Sequence, residues 1–365
     1  MGLGLHYNAI VFNTYVVSVL SFLLQLARPP KELDRSIQAA LRLLAPGPGN
    51  WAQPVDLYNL KENYGQVRSF SNSLTTATAA KVRVALYEAE AAGGLRVRSR
   101  AANFRAMRAQ NPIDHWDEWL DEAPILILEE ALDTFTATCR TTPTQLHREL
   151  RTTRGAETQE EADKRARADI QKTAAERINR IGRPLAEDRM RERLERWHLP
   201  GLPLRIARAS LRRLRRLRAL GPPRLVAALL SAAWNRWCTQ RRFGQQGCCV
   251  LGCRGEEDSI EHYACCSVVR TFAAKFLRFR FPAYRGKELM TATAPELDDD
   301  MALLRCAVLV YATWRHTEAT RRVGAQVRPA NFHTHALQQA AREAVRGHPT
   351  ARAVIDKGVT PTILL

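Results

Sequence analysis

The residues with the clearest chemical potential are five cysteines and one histidine within the nineteen positions 248–266. The spacing Cys249-x3-Cys253-x8-His262-x3-Cys266 supplies three thiols and one imidazole. Thiolate sulfur and imidazole nitrogen are the ligands that close tetrahedral zinc sites in proteins. The pattern therefore predicts a structural zinc ion held by Cys249, Cys253, His262 and Cys266.

Two further cysteines lie beside these predicted ligands and leave the membership of the quartet open. Cys248 precedes Cys249 and Cys265 precedes Cys266, so either could take its neighbour's place. The alternative is a group of buried thiols or disulfides. A histidine inside the cluster and the lack of a secretory signal favour the metal, because disulfides persist mainly in oxidising compartments.

The strongest basic element is the segment from Leu204 to Ala219, which carries seven arginines and no acid. Its leucines recur at helical spacing, so the segment is predicted to dock on a core through one apolar stripe and to present guanidinium groups outward. A guanidinium group donates two parallel hydrogen bonds to phosphate. An anionic membrane or an acidic protein is the alternative ligand of such a helix.

Further basic residues extend this charge toward the cysteine cluster, and two tryptophans are available for stacking on bases. Together these residues predict a surface for RNA or single-stranded DNA. The predicted nucleic-acid-binding residues are Arg205, Arg208, Arg212, Arg213, Arg215, Arg216, Arg236, Arg241, Arg242, Arg254, Trp234 and Trp237.

The overall charge agrees with a polyanionic partner. The 365 residues include 55 Lys and Arg against 37 Asp and Glu, giving a net charge of +18. A field of this sign attracts nucleic acid first and anionic membrane surfaces second. A GC-rich coding sequence, which favours Arg and Ala, would explain the same composition without any function.

Nothing in the sequence predicts a catalytic residue or a small-molecule substrate. It has no Gly-rich phosphate loop and no serine nucleophile elbow, so nucleotide hydrolysis and acyl transfer are not supported. The acidic triplet at 298–300 opens an apolar helical run, which favours a helix start over a metal site. His333 and His335 form a pair without a third ligand, and a helix start is predicted there too.

The first apolar stretch, residues 10–27, raises the question of a signal peptide or a membrane span. Polar residues interrupt it and no basic residue precedes it. A signal peptide needs a basic start, and a spanning helix needs about twenty cleaner residues. We therefore expect a buried helix rather than a membrane association, and an intracellular rather than a secreted protein. A membrane anchor is the alternative.

The remaining pattern is one helix after another, which predicts an all-α fold of several helices with a small zinc-stapled loop. One helix is predicted to start at a Ser71 or Ser73 cap. The predicted domains are a helical domain at 1–140 and a charged helical spacer at 141–200. A basic helical domain at 201–350 contains the zinc motif (248–266), and a tail covers 351–365. A helix lying on the surface of one domain, or partial disorder, is the alternative to the spacer.

Two regions of the chain carry a resemblance to a known family. The first consists of Tyr7-Asn8, Leu20-Ser21-Phe22, Gln25-Leu26, Pro29-Pro30, Ala39-Ala40-Leu41 and Gly47-Pro48-x-x-Trp51. It resembles the helical thumb that follows the palm in reverse transcriptases of LINE-type, non-LTR retroelements. The cluster Cys249-x3-Cys253 with Glu257-Asp258-x-Ile260-Glu261-His262-Tyr263 and Cys266 is similar to the cysteine-histidine motif near the carboxyl end of those polyproteins.

The resemblance covers about residues 5–90 and 235–320, and it implies a zinc-binding segment that assists contact with template RNA or target DNA. It assigns a role only to Cys249, Cys253, His262 and Cys266, as metal ligands. The catalytic aspartates of that family lie upstream, in an aromatic-x-Asp-Asp turn that this sequence does not contain. We therefore expect a non-catalytic fragment of a retroelement protein, nuclear if functional, that binds nucleic acid. The alternative is a zinc-stapled scaffold for an unknown protein partner or a membrane surface.

Overall fold

A computed structural model of the chain describes residues 4–48, 51–87, 95–110, 124–152, 157–181, 183, 185–323, 330–356 and 362–363. Regular structure in these ranges is almost entirely helical, which confirms the predicted all-α class. The α-helices in chain order are α1 Leu5–Val11, α2 Ser18–Leu26, α3 Leu33–Leu44, α4 Pro54–Tyr58, α5 Leu60–Tyr64, α6 Ser73–Tyr87, α7 Leu95–Gln110, α8 Pro124–Cys139, α9 Pro143–Leu150, α10 Gln159–Ile181, α11 Ala186–Leu194, α12 Pro203–Leu220, α13 Pro223–Ala233, α14 Ile260–Cys265, α15 Ser267–Lys275, α16 Gly286–Met290, α17 Asp300–Val323, α18 Ala330–Val345 and α19 Pro349–Asp356.

Shorter segments connect these helices. A π-helical segment, Phe12–Val17, joins α1 to α2. Turns of 3-10 helix lie at Glu195–Trp197, Arg241–Phe243, Ala283–Arg285 and Pro295–Asp298. Strand β1 (Phe279–Arg280) pairs in parallel with β2 (Thr362–Ile363). The predicted tail at 351–365 therefore contains the end of α19 and a strand, and its other residues lie outside the described ones.

The helices form two compact units that interleave along the chain. The first unit consists of residues 1–10, 38–70 and 184–365, and the second of 11–37 and 71–183. This division differs from the predicted domains, because residues 38–70 pack with the C-terminal half. Their Asp56 carboxylate, which is fully buried, accepts hydrogen bonds from Arg189 at 2.8 and 3.1 Å.

The second unit is built on helices α6, α8 and α10. Asn72 caps α6, since its side-chain oxygen accepts hydrogen bonds from the amides of Leu74 (3.0 Å) and Thr75 (3.3 Å). The predicted Ser71 or Ser73 cap is therefore wrong by one position. A core of seven buried residues holds the three helices and α9 together: Ala79, Val82, Leu86, Phe135, Leu146, Ile170 and Ala174.

Helix α10 lies within the predicted charged spacer (141–200), but it packs on a core. It buries Ala162, Ala166, Ile170 and Ala174, which recur every four residues along one face. Small side chains at this spacing let helices approach closely, while the charged residues occupy the opposite face. The surface-helix alternative therefore describes α10 better than a spacer does.

The first unit is centred on α17, which is buried on nearly all sides from Ala302 to Thr313. A helix that is apolar all round must lie inside a core. Helices α12, α13 and α18 pack against it. Trp51, Tyr64 and Trp234 form a second part of this core, with ring centroids 6.0 Å (Trp51–Trp234) and 4.8 Å (Tyr64–Trp234) apart.

The N-terminal apolar run forms a continuous helical segment, Leu5–Leu26, of 22 residues. It is long and apolar enough to cross a membrane by length and composition. The prediction that it is buried is wrong for most of its surface, because Tyr15 is 70% and Phe22 is 63% exposed. Only a narrow stripe that includes Phe12, Val17 and Leu24 packs inside.

Candidate metal centre

Four side chains of the first unit converge on one point. Each of Cys249, Cys253, His262 and Cys266 offers one ligand atom, and these atoms all lie within 4.8 Å of one another. Every cysteine of the chain is free, and the Sγ atoms of Cys253 and Cys266 are 3.5 Å apart, far beyond a disulfide bond. The arrangement can hold a metal ion.

A tight loop positions the two N-terminal ligands. Cys248 and Glu257 form an antiparallel bridge, and the Cys249 amide donates to the Glu256 carbonyl at 2.7 Å. The turn between them requires left-handed backbone at Gly252 (φ 84°), where an L side chain would be strained. Its amide donates to the Cys249 carbonyl at 3.0 Å, which folds Cys253 back toward Cys249.

Helix α14 positions the two C-terminal ligands. The Ser259 hydroxyl caps this helix by accepting the His262 amide at 3.1 Å. His262 lies within the first turn, and Cys266 follows the last residue of the helix. The predicted spacing of three residues between them therefore corresponds to one helical turn, which places both on the same side.

The cluster is largely shielded from solvent, which controls its protonation. A hydrogen bond from the Cys266 thiol lowers the pKa of Cys249 to about 4, and the same bond raises the pKa of Cys266. Burial lowers the pKa of His262, but the interaction of the ring with the Cys249 and Cys253 sulfurs raises it more, to about 9. These shifts favour the thiolate form of Cys249 and the protonated form of His262.

The donor set fits a soft, tetrahedral cation. Neither ring nitrogen of His262 has a hydrogen bond of normal geometry among the described residues, although both are buried. Its Nδ1 lies 3.2 Å from a carboxylate oxygen of Glu256, which is 59% exposed. A buried imidazole without hydrogen bonds is costly unless another partner, such as a metal ion, satisfies it.

The two possible substitute ligands lie outside the group of four. Cys248 and Cys265 are both exposed. The Cys265 thiol donates instead to the His262 carbonyl at 3.3 Å. The structure therefore resolves the open membership in favour of Cys249 and Cys266.

A buried polar network anchors the metal-binding loop to helix α17. Asp258 is fully buried and accepts hydrogen bonds from Tyr263 Oη (2.6 Å) and from the Arg321 guanidinium (2.8 and 2.9 Å). Tyr263 Oη also accepts the Val250 amide at 3.3 Å, which joins the network to the loop itself. Sequence reasoning missed this network, since nothing local marks Arg321 as the partner of a residue 63 positions earlier.

A close approach of two helices fixes α14 from its other side. A Cβ atom built on Gly286 would lie 1.9 Å from the Ala264 carbonyl oxygen. Such a distance is far shorter than a van der Waals contact, so the first residue of α16 must be glycine for the two helices to approach this closely. Ala264 lies between two ligands, His262 and Cys266, so this contact helps set their position.

The arginines of α12 are mostly engaged by acids of other elements. Arg208 pairs with Glu187 at 2.8 Å, Arg212 and Arg213 pair with Asp298 at 2.9 and 3.0 Å, and Arg216 pairs with Asp300 at 2.5 Å. Two acids of the triplet, Asp298 and Asp300, thus neutralise arginines of α12. The third, Asp299, caps α17 by accepting the Ala302 amide at 2.8 Å. The predicted helix start at the triplet is confirmed.

Three of the predicted nucleic-acid-binding residues are buried, and these predictions are wrong. Arg213 is 2% exposed and donates to the Ala292 carbonyl at 3.0 Å. Trp234 is 2% and Trp237 is 0% exposed, because both rings pack in the core of the first unit. A ring buried in this way has no face available for stacking on a base.

The other predicted nucleic-acid-binding residues differ in whether their side chains are free to contact a phosphate. Arg236 stacks its guanidinium over Trp51 at 4.7 Å, and burial lowers its pKa to about 10. Arg241 pairs with Glu257 at 3.3 Å, while Arg242 and Arg215 donate to backbone carbonyls. Arg205 and Arg254 are exposed and form no ion pair within the described ranges.

Comparison of the chain with family models, with curated proteins and with solved structures finds no match.

Proposed function

We propose that the chain is a nucleic-acid-binding protein whose loop 248–266 is held by a structural zinc ion. The observation that carries the proposal is the convergence of three sulfurs and one imidazole within 4.8 Å in a shielded position. The nucleic acid is proposed to be RNA or single-stranded DNA. No chemical step is assigned to the chain.

Zinc is supported by the type and spacing of the ligands. Zn–S bonds of about 2.3 Å place two sulfurs of a tetrahedral site about 3.8 Å apart. The 3.5 Å between Cys253 and Cys266 Sγ agrees with that spacing to a few tenths of an ångström. Zinc bound to four protein ligands has no open position, so it would act by fixing the loop rather than by activating water.

Nucleic-acid binding is supported by charge. The net charge of +18 attracts phosphate along the whole chain, and basic residues flank the metal centre on both sides in sequence. A fixed loop holds the neighbouring basic side chains in one arrangement, which reduces the entropy lost when they bind a strand. The apparent binding energy of structural zinc reaches about 10–16 kcal/mol in peptides, which is enough to order such a loop.

The origin that we propose is a LINE-type retroelement reverse transcriptase, of which this chain would be a non-catalytic part. The support is the resemblance of the thumb-like residues and of the cysteine-histidine motif, in that order along the chain. The proposal implies an intracellular, nuclear protein when it functions as a retroelement product. A continuous reading frame with a palm sequence directly before Met1 would instead indicate an intact polymerase.

Two measurements on the purified full-length chain test the proposal. Elemental analysis should give one zinc per chain, and fluorescence anisotropy should show binding to a labelled single-stranded RNA. If about six phosphates are engaged, the affinity should fall about a thousandfold between 50 and 200 mM salt. A chain without zinc, or RNA binding that is insensitive to salt, contradicts the proposal.

One observation favours a second candidate, a scaffold that docks on a protein or a membrane surface. The helical segment Leu5–Leu26 exposes Tyr15, Val19 and Phe22 along one side. Exposed apolar surface of this kind often marks an interaction site. Tight binding to anionic liposomes together with weak binding to RNA would favour this second candidate.

A further inference from the structure

The structure carries a basic surface that is better suited to nucleic acid than the arginine-rich helix is. We infer that single-stranded RNA binds mainly to a basic face formed by Arg270, Lys275, Arg278 and Arg280. This inference rests on the proposed function and assigns its binding surface. The arginines of α12 then have a structural role.

Acids of neighbouring elements already pair with the arginines of α12. Arg208, Arg212 and Arg216 each form an ion pair with an acid at 2.5–2.9 Å. A phosphate that bound them would have to compete with a carboxylate already in place. Because each broken pair also leaves an acid close to the phosphate, little attraction remains. These arginines join α12 to its neighbours in the first unit.

The four cations of the other surface lie in a stretch of sequence that contains no acid. No Asp or Glu occurs between Glu261 and Glu288, while the interval contains six Lys and Arg residues. The side chains of Arg270, Lys275, Arg278 and Arg280 are exposed. Within the described part of the chain, none of these four forms an ion pair. Their positive charge is therefore available to an incoming phosphate.

The local backbone directs these side chains outward. Helix α15 buries Val269, Phe272 and Ala273, so Arg270 and Lys275 lie on its solvent side. Strand β1 buries Phe279 and exposes Arg280. Arg278 precedes β1 in left-handed backbone (φ 51°), and its side chain is exposed like that of Arg280. The four cations thus follow one continuous stretch of backbone.

Neighbouring elements add further positive charge to this face. Arg342 of α18 is exposed and lies with its guanidinium 5.6 Å above the ring of Phe276, next to Lys275. The Arg270 amide donates to the Cys266 carbonyl at 2.9 Å, which places this end of the face beside the metal centre. The face therefore reaches from α18 to the edge of the metal centre.

The face is also connected directly to the metal centre. Cys266 is both a ligand of the centre and the residue from which α15 begins. A metal ion bound to Cys266 would fix the first turn of α15 and with it the position of Arg270. Binding of RNA to this face should therefore depend on the metal, whereas α12 contains no ligand.

Two matched triple variants test the inference in the full-length, zinc-loaded protein. The first combines Arg270→Gln, Arg278→Gln and Arg280→Gln. The second combines Arg208→Gln, Arg212→Gln and Arg216→Gln, and it removes the same net charge. The probe is a fluorescein-labelled 20-nucleotide oligouridylate, titrated by anisotropy at several KCl concentrations. Thermal melting and zinc content verify that each variant is folded.

The first variant should bind about tenfold or more weakly, and the slope of log Kobs against log[KCl] should become shallower by about 2, since each lost phosphate contact removes about 0.7. The second variant should stay within about threefold of wild type, with an unchanged slope. A larger loss in the second variant overturns the inference and leaves the proposed function intact. Wild-type protein that does not bind the probe overturns both. Equal loss of binding to phosphatidylserine vesicles in the first variant overturns the assignment to RNA.

If a triple variant does not fold, Arg280→Gln and Arg208→Gln are compared as single changes. Arg280→Gln should then reduce the slope by about 0.7, and Arg208→Gln should leave it unchanged. The opposite ranking overturns the inference.

Discussion

Asp258 and Arg321 form a buried ion pair that ties the metal-binding loop to the C-terminal end of helix α17. Both carboxylate oxygens are used, by Nη2 at 2.8 Å and by Nε at 2.9 Å. The Arg321 guanidinium also lies 5.5 Å above the Tyr263 ring. Burial raises the pKa of Asp258, but the hydrogen bonds from Arg321 and Tyr263 lower it more, so the carboxyl group stays ionised.

Replacing Asp258 with Asn should destabilise the first unit by about 3–5 kcal/mol, because a buried guanidinium would lose its counter-charge. Urea unfolding followed by circular dichroism measures this change. The control is Glu187→Gln, which removes the solvent-exposed partner of Arg208 and should change the free energy of unfolding by about 1 kcal/mol or less. Equal effects of the two changes would show that the Asp258 pair carries no special stability.

The same pair predicts a dependence of stability on pH. The folded-state pKa of Asp258 is lowered below 3.8, so its contribution is fully present above that pH. It is lost as the pH falls through the lowered pKa. Asp258→Asn should therefore reduce the loss of stability that the wild-type chain shows below pH 4. Parallel curves for both proteins in this range would contradict the prediction.

Replacing Cys253 with Ser should abolish stoichiometric metal binding, because a serine hydroxyl does not supply the thiolate that closes the site. Inductively coupled plasma mass spectrometry of the purified chain measures the metal content. Cys248→Ser is the matched control, since Cys248 is exposed and lies outside the cluster. Loss of metal from the control with retention in Cys253→Ser would reverse the assignment of the ligand.

Metal binding should release protons. At pH 7.5 the metal-free centre holds a proton on His262, whose pKa is raised to about 9, and another on Cys266, whose pKa is raised by its bond to the Cys249 thiolate. Ligands must lose these protons to bind metal. The affinity should therefore rise with pH, by about tenfold per pH unit for each proton released. Calorimetry in buffers of different ionisation enthalpy counts the protons, and a count near zero would exclude this protonation state.

Removal of the metal should change the fluorescence of Trp237. Its ring is fully buried and lies 6.0 Å from the ring of Tyr263, the neighbour of His262. Loosening of α14 would admit water to this contact, so chelation should shift the emission maximum to longer wavelength. Trp237→Phe is the control that should lose the shift. A shift that persists in this variant would place the change at another tryptophan.

The exposed side of α2 should promote self-association. Phe22 is 63% exposed, and replacing it with Lys should reduce association, measured by light scattering, without lowering the melting temperature. Leu24 is 4% exposed on the opposite side, so Leu24→Lys should destabilise the second unit. Equal melting temperatures for the two variants would show that the orientation of this helix is different.

The sequence was most informative where local spacing determines the structure. The ligand quartet follows from the spacing of its residues, because one loop and one helical turn bring all four together. The helix start at Asp299 follows from the same kind of local rule. Long-range packing could not be predicted in this way. Trp234 and Trp237 lie in a basic segment, and only the partners Trp51, Tyr64 and Tyr263 show that their rings are buried.

The prediction of the binding surface also depended on the difference between neighbours in sequence and neighbours in space. Counting arginines predicted α12 as the binding element, since its segment has no acid of its own. The acids that neutralise it come from Glu187, Asp298 and Asp300, up to 86 residues away. A sequence window measures charge along the chain, whereas an ion pair depends on distance in space. The second acid-free interval, 262–287, could have been found in the sequence. It attracts less attention than 204–219 because it contains fewer arginines per residue.

The contact between Gly286 and Ala264 implies that the metal centre tolerates little added side-chain volume where α16 packs against α14. A single extra methyl group at position 286 would force the two helices apart by more than an ångström. The distance would be absorbed by the turn that carries His262 and Cys266. Position 286 should therefore accept no side chain larger than that of glycine while the ligands keep their present positions.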